Sequence, residues 1–276
     1  MSGSRSKSVF ATSQEIARGL DALLATTSKR SADNFIQKVF TMQDIYLENN
    51  PGVYTPEEVE QVRYYLRAVS YKFQLANLSL EQLWALSETK RGELYAALEN
   101  SFDRLDVSDD ELLLISFAFE GVLFQVMACL EFYMLYLCFF LQLLPVDYRG
   151  KMTTSRFFDT LAKSRRNDSS GKVKQVEEHF NVRVFGADKQ DIWHPNNWGT
   201  LLISLRDKIA HRDRLRPSFD GDETLIGQVL FDWPTLRGIT YDRFYQSVQS
   251  GLYCLIKELS PILYELEWKP GSRYEC

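Results

Sequence analysis

From Val122 to Leu144 the chain is apolar except for Gln125, Glu131 and Gln142, and the apolar character already begins at Leu112. The run from 109 to 144 therefore reads as one helix of about 35 residues, which either lipid or protein must cover. Its length would allow it to span a bilayer, since about 20 residues suffice. Glu131 near the middle costs about 2.5 to 3.5 kcal/mol on insertion scales, and the surrounding Leu, Phe and Val roughly offset that. The early start of the apolar run and the other amphipathic helices available to cover it favour burial in protein. Membrane insertion is the weaker reading.

Helix signals dominate the rest. Thr55-Pro-Glu-Glu58 supplies a cap, a first-turn proline and an acidic first turn, and Ser79-Leu-Glu-Gln82 and Ser108-Asp-Asp-Glu111 match capping boxes. The patterns predict helices over 13–27, 31–48, 56–76, 80–104, 109–144, 153–165, 172–180, 197–212 and 241–267. In the last of these the stripe Phe244, Val248, Leu252, Leu255, Ile256, Leu259 and Leu263 is core, with a kink or break expected at Pro261. Asn49-Asn-Pro-Gly52 is a turn, and 217–240 reads as a loop with at most a short hairpin. The fold class is all-α. An acidic helical region over 1–105 precedes a second helical domain over 109–268.

The net charge of -5 argues against a chain coated in nucleic acid, but the charge is unevenly placed. Residues 145–216 carry 15 Lys/Arg against 9 Asp/Glu, while the segments on either side are acidic. The cysteines at 129, 138, 254 and 276 have no ligand spacing and read as reduced thiols, and His179 and His194 lack partners at metal-ligand spacing. We therefore expect no metal and no cofactor. The polar N-terminus lacks a signal-peptide pattern, so a cytoplasmic location is expected.

The basic segment closes on Arg206-Asp-Lys-Ile-Ala-His211-Arg-Asp-Arg-Leu-Arg216, which places one of three histidines among arginines. Imidazole moves protons near neutrality, and guanidinium offers a planar fork that fits a phosphodiester. The motif follows a helix with Trp198, Leu201, Leu202, Leu205 and Ile209 on one stripe, so its charged residues face outward or towards a second chain. On a regular helix Arg206 and His211 lie about 140° apart, whereas Asp207 and His211 share a face. Convergence of Arg206 and His211 on one phosphate requires the helix to end near Ala210, or a partner chain to supply the second copy.

An Arg-x4-His motif at the end of a Leu/Ile-rich helix, with Asp207 directly after the arginine, resembles the HEPN superfamily of all-α domains. The resemblance covers roughly 109–268, and only the motif is specific. It implies a metal-independent endoribonuclease, acting as a homodimer with a composite cleft and serving as a toxin or antiviral defence effector. Arg206 and His211 would be catalytic, with Asp207 as the polar neighbour. Glu131, or else Glu120, would be the carboxylate of the long helix that supports the arginine.

In the reaction this implies, His211 held by Asp207 is the general base or acid and Arg206 stabilises the charged phosphorane. Lys208, Arg212, Arg214 and Arg216 would hold RNA phosphates, so that binding weakens with salt. The same residues also have structural readings: His211 as a helix C-terminal cation, Arg206 as an ion pair with Glu131, and the arginine run as a solvated loop. These define the alternative of a non-catalytic HEPN-like interaction subunit, with the N-terminal helices as the surface for a protein partner. Trp193, Trp198, Trp233 and Tyr241 could stack bases, although packing is the commoner use of such residues.

Overall fold

The computed structural model describes residues 27–99, 109–186, 197–210, 218–222, 230–236 and 239–267. Among them the framework is all-α. The helices are α1 (Thr27–Asn49), α2 (Pro56–Glu99), α3 (Asp109–Phe140), α4 (Thr154–Ser164), α5 (Lys172–Arg183), α6 (Trp198–Ala210) and α7 (Tyr241–Tyr264). Between α6 and α7 the chain forms a small antiparallel sheet of β1 (Ser218–Asp222), β2 (Leu230–Leu236) and β3 (Ile239–Thr240), in that order. This exceeds the short hairpin expected there. Thr235 of β2 faces both Ser218 and Thr240, so one strand serves two edges.

Two expected helices are one. Nothing between Ala76 and Leu80 breaks the helix, and Phe73, Ala76, Leu80 and Leu83 continue one buried stripe through the expected gap. Asn77 bonds back to the Phe73 carbonyl at 2.9 Å, which satisfies its side chain within the helix. The Ser79 capping signature is thus an unused local option. At the start of α2 the expected cap does form: Glu58 N–H donates to Thr55 Oγ1 at 3.2 Å and Thr55 N–H to Glu58 Oε2 at 2.7 Å.

The end of α3 comes four residues early. Gln142 takes a left-handed φ of 54°, and Leu143 N–H turns back to the Cys138 carbonyl at 2.8 Å. Tyr54 donates to the Phe140 carbonyl at 2.6 Å, satisfying another group of the last turn. Pro261 lies inside α7 but only three residues from its end, and Glu265, with φ 55°, closes the helix.

One buried core joins α1, α2, α3 and α7, with Phe35, Phe73 and Tyr253 in mutual ring contact. The region around residue 105, where a boundary was expected, lies outside the described residues. On its two sides α2 and α3 pack along each other and share that core. Ser116–Phe140 of α3 is long and apolar enough to cross a membrane, and 72% of that window is buried inside the protein. Tyr136 and Tyr264 meet hydroxyl to hydroxyl at 2.6 Å where α3 and α7 converge. Cys129 and Cys138 are free and buried. Cys254 is disulfide-bonded, which corrects the expectation of a reduced thiol there.

Candidate functional site

The position of α6 is set by close backbone approaches that large residues would prevent. Trp198, 1% exposed, sits against Gly251 of α7, where an added Cβ would come within 2.5 Å of the indole. Its Nε1 donates to the Arg183 carbonyl at 3.0 Å. Gly199 N–H donates to the Val184 carbonyl at 2.9 Å, and a Cβ there would meet the Val184 side chain at 2.5 Å. Leu201, Leu202 and Leu205 complete the buried stripe. Trp198 is therefore a packing residue, not a base-stacking one.

With that stripe buried, Arg206 is turned towards α3. Its Nη1 donates to Glu131 Oε1 at 3.1 Å, across 75 positions of sequence. Glu131 is the first of the two carboxylates that the resemblance implies for supporting this arginine. Neither partner is buried, the side chains of Arg206 and Glu131 being 36% and 39% exposed. Water screens such a pair, so its net worth to folding is about 1 kcal/mol or less. Asp207, more exposed at 54%, places Oδ1 3.7 Å from Arg206 Nε. Among the described residues this carboxylate accompanies the arginine; His211, which it was expected to orient, lies outside them.

The second carboxylate choice, Glu120, lies three helical turns before Glu131 on α3, about 16 Å away along the axis, and does not belong to the same cluster. Lys208 lies on α6, but its side chain is outside the described residues, as are His211, Arg212, Arg214 and Arg216. The described part of α6 ends at Ala210, the residue before His211.

Two charged clusters escaped the sequence reading. His179 of α5 has Nε2 3.4 Å from Glu258 Oε2 of α7, and Arg183 Nε lies 3.5 Å from the same oxygen. Burial pushes the His179 pKa down and Arg183 adds to this, while Glu258 works the other way; the net direction is downward from 6.5. Lys172 is the other case. Its ammonium reaches Glu265 Oε1 at 2.7 Å, the Leu263 carbonyl at 3.0 Å and the Tyr46 hydroxyl at 3.3 Å. Neither cluster has a local sequence signature, because the partners lie about 80 or more positions away.

No family model matches this chain, and no curated protein and no solved structure matches it.

Proposed function

We propose that this chain is a HEPN-like, metal-independent endoribonuclease of toxin or defence type, acting as a homodimer. The observation that carries the reading is the hydrogen bond from Arg206 Nη1 to Glu131 Oε1 at 3.1 Å. It joins the arginine of the motif to a carboxylate of the long helix, as the resemblance implies, and leaves the guanidinium partly in solvent. A guanidinium hydrogen-bonded to one carboxylate, whose other N–H groups make no hydrogen bond among the described residues, can stabilise charge on a phosphorane.

In the proposed reaction a ribose 2′-oxygen attacks the adjacent phosphorus and gives its proton to His211. The 5′-oxygen leaves and takes a proton from the other copy's histidine. The products are a 2′,3′-cyclic phosphate and a 5′-hydroxyl. The basic residues Lys208, Arg212, Arg214 and Arg216 hold the flanking phosphates.

The test is RNA cleavage in EDTA by wild type, Arg206→Ala and His211→Ala, at matched circular dichroism and oligomeric state. Cleavage by wild type alone, leaving cyclic ends, is expected. A folded wild type inert on every RNA class offered would sink the proposal.

One observation favours a second reading. Asp207 and Glu131 both place carboxylate oxygens near Arg206, an arrangement that also suits an interhelical ion pair with no catalytic task. On that reading the chain is a HEPN-like interaction subunit, with the N-terminal helices as the surface for a protein partner. His211→Ala would then alter stability or assembly and no reaction.

A further inference from the structure

Among the described residues, nothing covers one face of α3. Leu114 is 57% exposed, Phe117 74% and Phe124 50%, although the rest of the helix forms the centre of the core. With Gly121, Ala128 and Phe132 these residues recur at steps of three and four, the spacing of a helix-to-helix seam. Leu135, at the buried end, continues it. One border of the seam carries Gln125, which accepts from Lys72 of α2 at 3.3 Å. The other carries Glu120 and the Glu131–Arg206 pair. An apolar centre with a polar rim is the anatomy of a protein interface.

Gly121 gives the seam its most telling feature. A Cβ placed there would meet nothing within 4 Å, so no contact among the described residues requires a glycine. In mid-helix it is weaker than alanine would be. The glycine leaves room there for another backbone or a bulky side chain to come close.

We propose that a second copy of this chain docks on the seam, with the two α3 helices antiparallel. In the register that sets Phe124 opposite the partner's Ala128, Phe132 falls opposite the partner's Gly121 to within one residue. Large side chains thus face small ones, and the two-fold axis repeats each contact. A parallel pairing would set Phe124 on Phe124 and Gly121 on Gly121, bulk against bulk and gap against gap.

The charges agree with the antiparallel choice. A two-fold axis across antiparallel helices brings like borders together, so the partner's Glu120 arrives on the Arg206 border. In this register it stands level with Phe132, one residue from Glu131. The half-exposed arginine gains a carboxylate from each chain, and the two motif helices come to the same side of the dimer. The proposal rests on the seam and holds whether or not the chain cleaves RNA.

The experiment is sedimentation velocity of the full chain over a concentration series, without detergent or RNA. We expect a reversible dimer. Gly121→Leu fills open space in the monomer and favours the helix, yet raises the dimer dissociation constant at least about tenfold by blocking the partner's Phe132. Phe124→Glu has the same effect, while Val182→Glu, at an exposed position on α5, leaves the constant unchanged. A mixture of Phe124→Cys and Ala128→Cys chains forms the mixed disulfide in preference to either homodimer.

A monomer at every concentration overturns the proposal, as does a dimer indifferent to Gly121→Leu or a preferred Phe124→Cys homodimer. Wild-type partition into phosphatidylcholine vesicles that Phe124→Glu abolishes would make lipid the occupant and equally overturn it. A dimer that cleaves RNA and is indifferent to Gly121→Leu refutes this surface and spares the nuclease reading, whereas a dimer that the seam variants break but that never cleaves does the reverse.

Discussion

Lys172 and Arg206 are both cations that tie a short helix to a long one, and they do so in opposite ways. Lys172 begins α5 with its side chain 11% exposed, and its three N–H groups are matched by the Glu265 carboxylate, the Leu263 carbonyl and the Tyr46 hydroxyl. Its ammonium also lies 4.7 Å from the centre of the Tyr46 ring. Arg206 has five donors, and among the described residues it makes one hydrogen bond, to Glu131, with over a third of its side chain in solvent. A cation whose donors are all engaged by its own chain serves the fold. One with donors to spare is available to a ligand or a partner.

The largest expected effect follows from the first half of that contrast. Lys172→Ala removes a hydrogen-bonded ammonium and leaves the Leu263 carbonyl without this donor at the end of α7. A loss of about 2–3 kcal/mol is expected from a charged hydrogen bond and a stranded acceptor, read from urea unfolding. A loss under about 0.5 kcal/mol would show that Lys172 is no more committed than a surface lysine.

Asp168 sharpens the same point, because it fixes the helix that Lys172 starts. Its Oδ2 accepts from Val173 N–H at 2.8 Å and Lys174 N–H at 3.4 Å, and Ser170 donates to its Oδ1 at 2.7 Å. Partial burial pushes its pKa up, but these hydrogen bonds outweigh that and hold it below the usual carboxylate range. Asp168→Ala should destabilise by about 1–2 kcal/mol, the usual worth of such a cap. The stability that Asp168 provides is full above its unfolded pKa and is lost as pH falls towards the folded value. Unfolding of the variant should therefore be flatter in pH below about 4 than that of wild type.

His179 adds a pH-dependent term on the neighbouring face of α5. Its folded pKa lies below 6.5, so the unfolded chain takes up the proton first and stability falls as pH drops through the unfolded value. Below the folded pKa the loss is complete. His179→Gln should flatten the stability profile between about pH 7 and pH 5. An unchanged profile would mean that Glu258 holds the charged imidazole in the fold after all.

Much of this was legible in the sequence where the signal is periodic. The stripe of α7, the cap at Thr55 and the burial of α3 follow from apolar spacing and local hydrogen-bond options, and they appear as expected. Glu131 was singled out through the resemblance, and the structure sets it against Arg206. The join of α2 across Asn77 was hidden, since a capping box looks the same whether or not the helix uses it. Lys172 and His179 were hidden for a different reason. Their environments come from α1 and α7, and a lysine or histidine beside ordinary polar neighbours carries no mark of distant burial. The motif residues from His211 to Arg216 lie outside the described residues, so their roles remain those the resemblance implies.

The smallest expected effect on folding belongs to Arg206, and it is the most informative. A half-exposed ion pair contributes about 1 kcal/mol or less, and Glu131 left alone stays partly hydrated. Arg206→Ala should therefore unfold within about 1 kcal/mol of wild type by urea titration. If the arginine stabilises a phosphorane, the same variant loses cleavage by about a hundredfold or more, the scale for removing one transition-state donor. A large activity loss at nearly constant stability is what separates a cation held in reserve from one consumed by the fold. A stability loss as large as that of Lys172→Ala would place Arg206 with the structural cations and leave the motif without its proposed task.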